Sequence, residues 1–309
     1  MKPRSTDDLS AETRPSYVIE PWDKNHPSPR QRTIRRAVRM GCLVIFAVFA
    51  CILFTVSVYL LVPFRTDFLI LGIDRTPEGT NLGRSDTNVL VTVRPLRPYI
   101  GALSIPRDLW VTIPGVGENR FNTAHYFAEV QDPGSGPYAA LETIRQNFGL
   151  SVEHYVRLKF DGIVGIVDAL GGLDVELENP MGGLPAGEHN LTGEQALAFV
   201  RDRQGTDDFF RMLQGQFFFA ELIEQLLQPG SWPRFPAVLA AVNESIDTNI
   251  PFWVWPRLGF AFLRSGSGGI DYHVINRDYV SSTTTSEGAQ VLIPEWSLIL
   301  PLVDEIFGD

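Results

Sequence analysis

Asp67-Phe68-Leu69-Ile70-Leu71-Gly72-Ile73-Asp74 decides how the rest of the chain is read. The apolar run is short and is closed by Gly and Asp, so it reads as a buried strand. Working outward, Asn88-Val89-Leu90-Val91-Thr92-Val93 and Tyr99-Ile100-Gly101-Ala102-Leu103-Ser104-Ile105 repeat the pattern, joined by a proline-containing turn. Trp110-Val111-Thr112-Ile113 makes a fourth strand, stopped by Pro114-Gly115. Helices are expected over 137–148 and 161–169, with a strand at Leu173–Glu176 between them and the next helix. Thr192-Gly193-Glu194-Gln195 has capping-box spacing and opens a helix over Ala196–Val200. A longer helix over 207–227 carries Phe209, Phe210, Leu213, Phe217, Ala220 and Leu227 among its apolar positions. Strands at Asp271–Ile275 and Gln290–Ile293 and a helix over 295–307 complete the pattern. Strands alternating with helices, without a long linker, predict one α/β domain of roughly 240 residues with a central sheet covered by helices.

Upstream of this domain the chemistry changes. Met40 to Phe64 contains no charged residue, and its Gly41–Val62 heart is long enough for a bilayer-spanning helix. A cleaved signal would have a shorter apolar core and a small-residue cleavage site. Here the run continues into Val62-Pro63-Phe64, so an uncleaved anchor is expected. Arg30, Arg32, Arg35, Arg36 and Arg39 crowd its N-terminal flank, against Arg65 alone close by on the other side. The positive-inside rule then puts the N-terminus in the cytoplasm and the large domain outside. The expected organisation is a largely disordered basic leader (1–39), a transmembrane helix (40–63) and an extracellular catalytic domain (64–309).

The 309-residue chain has a formal net charge of −10, divided into +4 over residues 1–40 and −14 over 41–309. An acidic domain argues against a nucleic-acid partner. Both cysteines, Cys42 and Cys51, lie in the apolar run, which leaves the domain without a disulfide framework or thiolate zinc site. The five histidines lack metal-motif spacing, and no phosphate-binding Walker loop is present.

The candidate chemistry lies at strand ends. Asp74 and Arg75 end the first strand, Gly83-Arg84-Ser85-Asp86-Thr87 precedes the second, and Pro106-Arg107-Asp108 follows the third. Ligand groups gather there because loops are held by a rigid scaffold. Two carboxylates, Asp74 and Asp86, suit a hard cation such as Mg²⁺ that also takes phosphate oxygens. A second cluster is Arg201-Asp202-Arg203 with Asp207-Asp208-Phe209-Phe210-Arg211. If the chain becomes extended after Val200, the guanidiniums of Arg201 and Arg203 project to one side, with Arg211 in the first turn of the long helix. Two readings stand: surface ion pairs with Asp202, Asp207 and Asp208, or a pyrophosphate cradle of guanidinium forks and helix N–H groups. Together with Arg84, Arg107 and the aspartates, the cradle is favoured.

These segments, in this order, resemble the LytR-CpsA-Psr family. The resemblance is carried by Gly83–Thr87, Ser104–Asp108, Phe160-Asp161-Gly162 with Asp168–Gly172, Leu191–Arg203 and Asp208–Arg211, and it covers roughly 66–309. It implies an α/β/α sandwich with a central mixed sheet, preceded by one membrane helix, and a hydrophobic pocket for a lipid chain. It also implies transfer of a teichoic-acid-type glycopolymer from a polyprenyl (pyro)phosphate lipid to a peptidoglycan sugar hydroxyl, as a phosphodiester, at the outer surface of the membrane. Pyrophosphate hydrolysis is a possible second outcome. By that resemblance Asp74 and Asp86 hold Mg²⁺ (or Mn²⁺), and Arg84, Arg107, Arg201, Arg203 and Arg211 hold the pyrophosphate. Asp86, Arg107 and Asp74 are then the catalytic set, and Asn122 matches an asparagine of open role. Partners would be the lipid-linked glycan, peptidoglycan and membrane lipid.

One departure stands out. Where the family usually has a second arginine and a glutamine on the long helix, this chain has Gln214 and Gly215. That keeps an alternative open, a non-catalytic polyprenyl-phosphate-binding or regulatory membrane protein of the same fold. Phe217-Phe218-Phe219 could line the lipid pocket or serve as ordinary core.

Overall fold

The computed structural model describes residues 29–61, 65–73, 77, 80–94, 99–202, 208–266 and 269–308. The chain divides into two units between Ser57 and Val58. α1 (Pro29–Leu61) begins on a proline, which suits a first helical position, and its basic flank from Arg30 to Arg39 is helical. Its Arg36–Tyr59 stretch is 24 residues and includes an 18-residue window with a mean hydropathy of 2.7, long and apolar enough to cross a membrane.

The second unit is built on a six-stranded mixed sheet. Its first part runs β1 (Thr66–Ile73), β2 (Ser85–Arg94), β3 (Tyr99–Ser104), β4 (Trp110–Ile113), β5 (Gly117–Arg120), α2 (Asn122–Gln131) and α3 (Gly136–Phe148). β6 (His154–Lys159), α4 (Gly162–Leu170), β7 (Leu173–Leu177), β8 (Gly187–Leu191) and α5 (Gly193–Arg201) follow. α6 (Asp208–Leu227), a 3₁₀ turn (Pro229–Arg234), α7 (Phe235–Ser245), β9 (Ile246–Thr248) and α8 (Trp255–Ser265) come next. β10 (Ile270–Val274), β11 (Val280–Thr284), β12 (Gln290–Pro294) and α9 (Trp296–Phe307) end the described chain.

The sheet order is β10-β3-β2-β1-β6-β9. β1 is parallel to β6 and β3 to β10, whereas β2 is antiparallel to both β1 and β3, and β9 to β6. One end of the sheet therefore collects the C-terminal ends of β1, β3, β6 and β10 and the start of β2. Alternation along the strands fills both faces. Leu69, Leu71, Ile73, Leu90 and Leu103 pack on α3 and α9 through Ile144, Phe148, Ile299 and Ile306. Phe68, Val89, Val91 and Ile100 point the other way, onto Leu258 and Ala261 of α8. A third cluster joins α4, α5, α6 and α7 around Phe160, Phe199 and Phe218. Helices on both faces of a mixed sheet give the expected α/β/α sandwich.

Two readings from the sequence shift slightly. Ser85, Asp86 and Thr87 belong to β2 instead of preceding it. α5 continues through Arg201, and the chain becomes extended only at Asp202, so Arg201 projects from a helix end. The Thr192 capping box forms as read, with Gln195 as its reciprocal partner.

Candidate active site

β1 and β2 pair in register from Thr66↔Val93 to Gly72↔Thr87, and then the register slips to Ile73↔Ser85. The skipped residue is Asp86. A bulge leaves its extra residue outside the ladder and re-aims its side chain. Asp86 thus stands at the end of the sheet where β1, β3 and β6 finish. Opposite, Gly72 leaves room for close packing: a Cβ there would lie 2.5 Å from the Phe160 ring and 2.9 Å from Thr87 Cβ.

Arg107 reaches the same place from the loop after β3. Ile105 N–H donates to the Asn88 carbonyl at 2.9 Å, which holds the start of that loop against β2. The Arg107 guanidinium lies 3.3 Å from Asp86 Oδ1, and its Nε lies 3.3 Å from Asp108 Oδ2. Asp108 Oδ1 in turn faces Arg120 Nε at 3.3 Å, and Arg120 donates to the Gln290 carbonyl at 2.7 Å. Charges of alternating sign form a chain, Asp86–Arg107–Asp108–Arg120. Asp86, Arg107 and Asp108 are all about one-fifth exposed. Asp108 and Arg120 were missed as site residues, although Asp108 directly follows Arg107. Asn122 is buried; its N–H donates to the Arg107 carbonyl at 3.1 Å, and its Oδ1 has no partner among the described residues.

The other predicted arginines arrive by different routes. Arg84 is exposed, two residues before Asp86, and makes no ion pair among the described residues. Arg201, at the end of α5, pairs with Asp161 at 2.9 Å, immediately beyond β6 and so at the same end of the sheet. Arg211 is half-buried on the first part of α6. That helix is fixed from both sides: Gln214 donates to the Phe199 carbonyl of α5, and Gln216 donates to Ser104 Oγ at 2.8 Å and the His273 carbonyl at 3.0 Å. Asp74 and Arg203 lie outside the described residues. Phe218 is fully buried, and Phe217 and Phe219 pack against the same cluster, so this run serves as core.

Beneath the loop that carries Arg84 lies a buried polar network that the sequence did not disclose. His125 Nδ1 donates to the Gly83 carbonyl at 2.9 Å. Its Nε2 faces Arg157 at 3.3 Å, an arrangement that suits a neutral imidazole accepting from the guanidinium. Burial lowers the His125 pKa and Arg157 adds to that, which keeps the ring neutral. Arg157 also binds Glu129 and, at 2.6 Å, Asp247. Glu129 accepts from the N–H groups of Gly134 at 2.9 Å and Gly136 at 3.3 Å.

The sequence pattern of the LytR_cpsA_psr family matches residues 65–297. The chain belongs to this family. Among similar proteins, one named polyisoprenyl-teichoic acid–peptidoglycan teichoic acid transferase TagU from Oceanobacillus iheyensis is 37% identical over 142 residues, 45% of this chain and 43% of that protein. The protein of the same name from Halalkalibacterium halodurans is 34% identical over 190 residues, 59% of this chain and 60% of its own. The match therefore spans less than two-thirds of these relatives' length. Among solved structures, B. subtilis TagV superimposes with a TM-score of 0.63 at 23% identity, covering 78% of this chain and 96% of that one. A structure of TagT bound to LIIa-WTA gives 0.62 at 22%, covering 79% and 91%. At such identities these likenesses establish the LytR_cpsA_psr fold.

Proposed function

We propose that this LytR_cpsA_psr protein is a membrane-anchored transferase that moves a teichoic-acid-type glycopolymer from a polyprenyl (pyro)phosphate carrier to a peptidoglycan hydroxyl. The observation that carries the reading is the Asp86–Arg107 pair, a bulged carboxylate and a guanidinium 3.3 Å apart at the end of the sheet. The names of the relatives supply the substrate class. α1 serves as the anchor, with its arginine-rich flank in the cytoplasm and residues 64–309 outside.

In this reading Arg84, Arg107, Arg201, Arg203 and Arg211 grip the diphosphate. Planar guanidinium forks match phosphate oxygens and neutralise charge as it moves onto the leaving group. The carboxylate of Asp86 is engaged by Arg107, and in this reading rate comes from charge neutralisation and alignment more than from proton abstraction. The donor set fits Mg²⁺ (or Mn²⁺): Asp86, with Asp74, offers hard oxygen ligands, and a small divalent ion is content with one or two carboxylates plus phosphate oxygens. When bound there, the ion supplies further neutralisation of the phosphate charge.

The test uses the full chain in detergent with Mg²⁺, a labelled polyprenyl-diphosphate glycan and a peptidoglycan oligomer. Arg107→Ala and Asp86→Ala are expected to lower transfer by about 100-fold or more, with melting temperatures close to the parent. Full activity in both variants refutes the assignment. Lipid binding without any product in the parent chain supports the non-catalytic regulatory alternative instead.

A further inference from the structure

The Asp86–Arg107 pair has a neighbour that the transferase reading leaves without a task. A cleft of about 480 Å³ is lined by the β4–β5 hairpin, the first turns of α2 and the turn that joins β11 to β12, with Arg84 on its wall. That volume lies within the range of small-ligand sites, about 300–1,000 Å³. Trp110 stands beside Arg120 across the hairpin register, and its indole N–H donates to Glu118 at 3.4 Å, which steadies the ring. Arg120 ties the two hairpins together by donating to the Gln290 carbonyl, and Leu292 N–H reaches the Asp108 carbonyl at 3.0 Å. The cleft is thereby braced on two sides next to the reacting centre.

We propose that this cleft is the acceptor subsite and takes a neutral N-acetylated pyranose of a glycan strand, an inference that rests on the transferase reading. An indole edge of the pocket offers an apolar face for the C–H side of a sugar ring, while Asn119, Thr285 and Ser286 offer donors and acceptors for hydroxyl and acetamido groups. Glu118 and Glu287 balance Arg84 and Arg120 on the walls, so the lining carries no net charge and suits an uncharged sugar better than the phosphate-rich polymer of the donor. Arg84 forms the junction, since it borders the cleft and precedes Asp86 by two residues. In the transfer itself the acceptor hydroxyl oxygen bonds to the glycan-bearing phosphorus and the bridging P–O bond breaks. The electron pair leaves with the polyprenyl monophosphate, which ends carrying the hydroxyl proton.

The experiment measures transfer by the full chain in detergent micelles at varied acceptor oligomer and fixed polyprenyl-diphosphate glycan. Trp110→Ala is expected to raise the acceptor KM about tenfold, with a much smaller change in donor KM, and Trp110→Phe to recover part of the loss. Ser286→Trp, at an exposed turn position, fills the cleft from its rim and is expected to act in the same direction should Trp110→Ala fail to fold. An unchanged acceptor KM in the folded variants, or a loss that falls equally on donor KM, overturns the subsite. A parent chain that transfers nothing to any acceptor overturns the transferase reading itself, a different outcome.

Discussion

Arg157→Met should be among the most damaging single changes away from the site. Arg157 and Glu129 are 4% and 3% exposed, and their contact is a buried ion pair. Removing one partner of such a pair typically costs about 3–5 kcal/mol, because the other charge stays buried. Two features of this network place the cost at the lower end. Glu129 keeps the backbone N–H groups of Gly134 and Gly136, and Asp247, with half of its side chain exposed, is re-solvated cheaply. The expected loss is about 3 kcal/mol. For a unit of this size, about 2–4 °C accompanies each kcal/mol, so the melting temperature should fall by about 6–12 °C. Thermal unfolding of the full chain in detergent, followed by tryptophan fluorescence, measures it. Adding Glu129→Gln removes the orphaned charge, so the double variant should be more stable than the sum of the two single losses predicts. A fall below about 3 °C for Arg157→Met, or strict additivity, would refute the claim that the network is a coupled buried unit.

Three further outcomes follow from the same geometry. Gly72→Ala drives a Cβ to 2.5 Å from the Phe160 ring beside the Asp86 bulge, so it should destabilise by about 1–3 kcal/mol in urea unfolding and lower transfer as well. His125 has a folded pKa below its ordinary 6.5, so the unfolded chain takes up a proton first as pH falls. Stability from this residue is therefore complete above about pH 6.5 and drops on acidification below it, and His125→Asn should flatten that part of the stability–pH curve; an equally steep curve in the variant contradicts the neutral, buried ring. A reporter enzyme that works only outside the cytoplasm, fused after the last helix, should be active, whereas cytoplasmic activity of a complementary reporter reverses the inferred orientation.

The elements that were legible are those whose signals are local. β1 to β4 show short apolar runs with Gly or Pro stops, and α5 shows its capping box, so their type and place followed from pattern alone. α2 was missed because Phe121, at its N-cap, makes no side-chain cap and the helix carries no start signal. β6 was hidden by Arg157, a charge in the middle of a strand whose partners, Glu129 and Asp247, are 28 and 90 residues away. The site divides along the same line. Arg107 and Asp86 were visible as residues at strand ends, but the bulge that singles out Asp86 depends on the register between two strands. Asp108 and Arg120 gain their place only when the β4–β5 and β11–β12 hairpins come together.

Gln214 shows how a departure from the family pattern can be absorbed by the scaffold. Its side chain is 1% exposed, and its amide N–H binds the Phe199 carbonyl two residues before Arg201. A neutral amide at a buried helix–helix contact avoids the desolvation that a guanidinium would bear there. Gln216, 6% exposed, does the equivalent at the other side, tying α6 to the end of β3 through Ser104. Both side chains thus hold α6, which carries Arg211: Gln214 ties it to α5, which carries Arg201, and Gln216 ties it to the ends of β3 and β10. The charge for a diphosphate then falls to the remaining arginines, and the glutamines act on the substrate only through where they hold those two. A change at Gln214 should accordingly shift affinity for the lipid diphosphate and helix packing together, whereas a change at Arg107 should act on transfer with the packing intact.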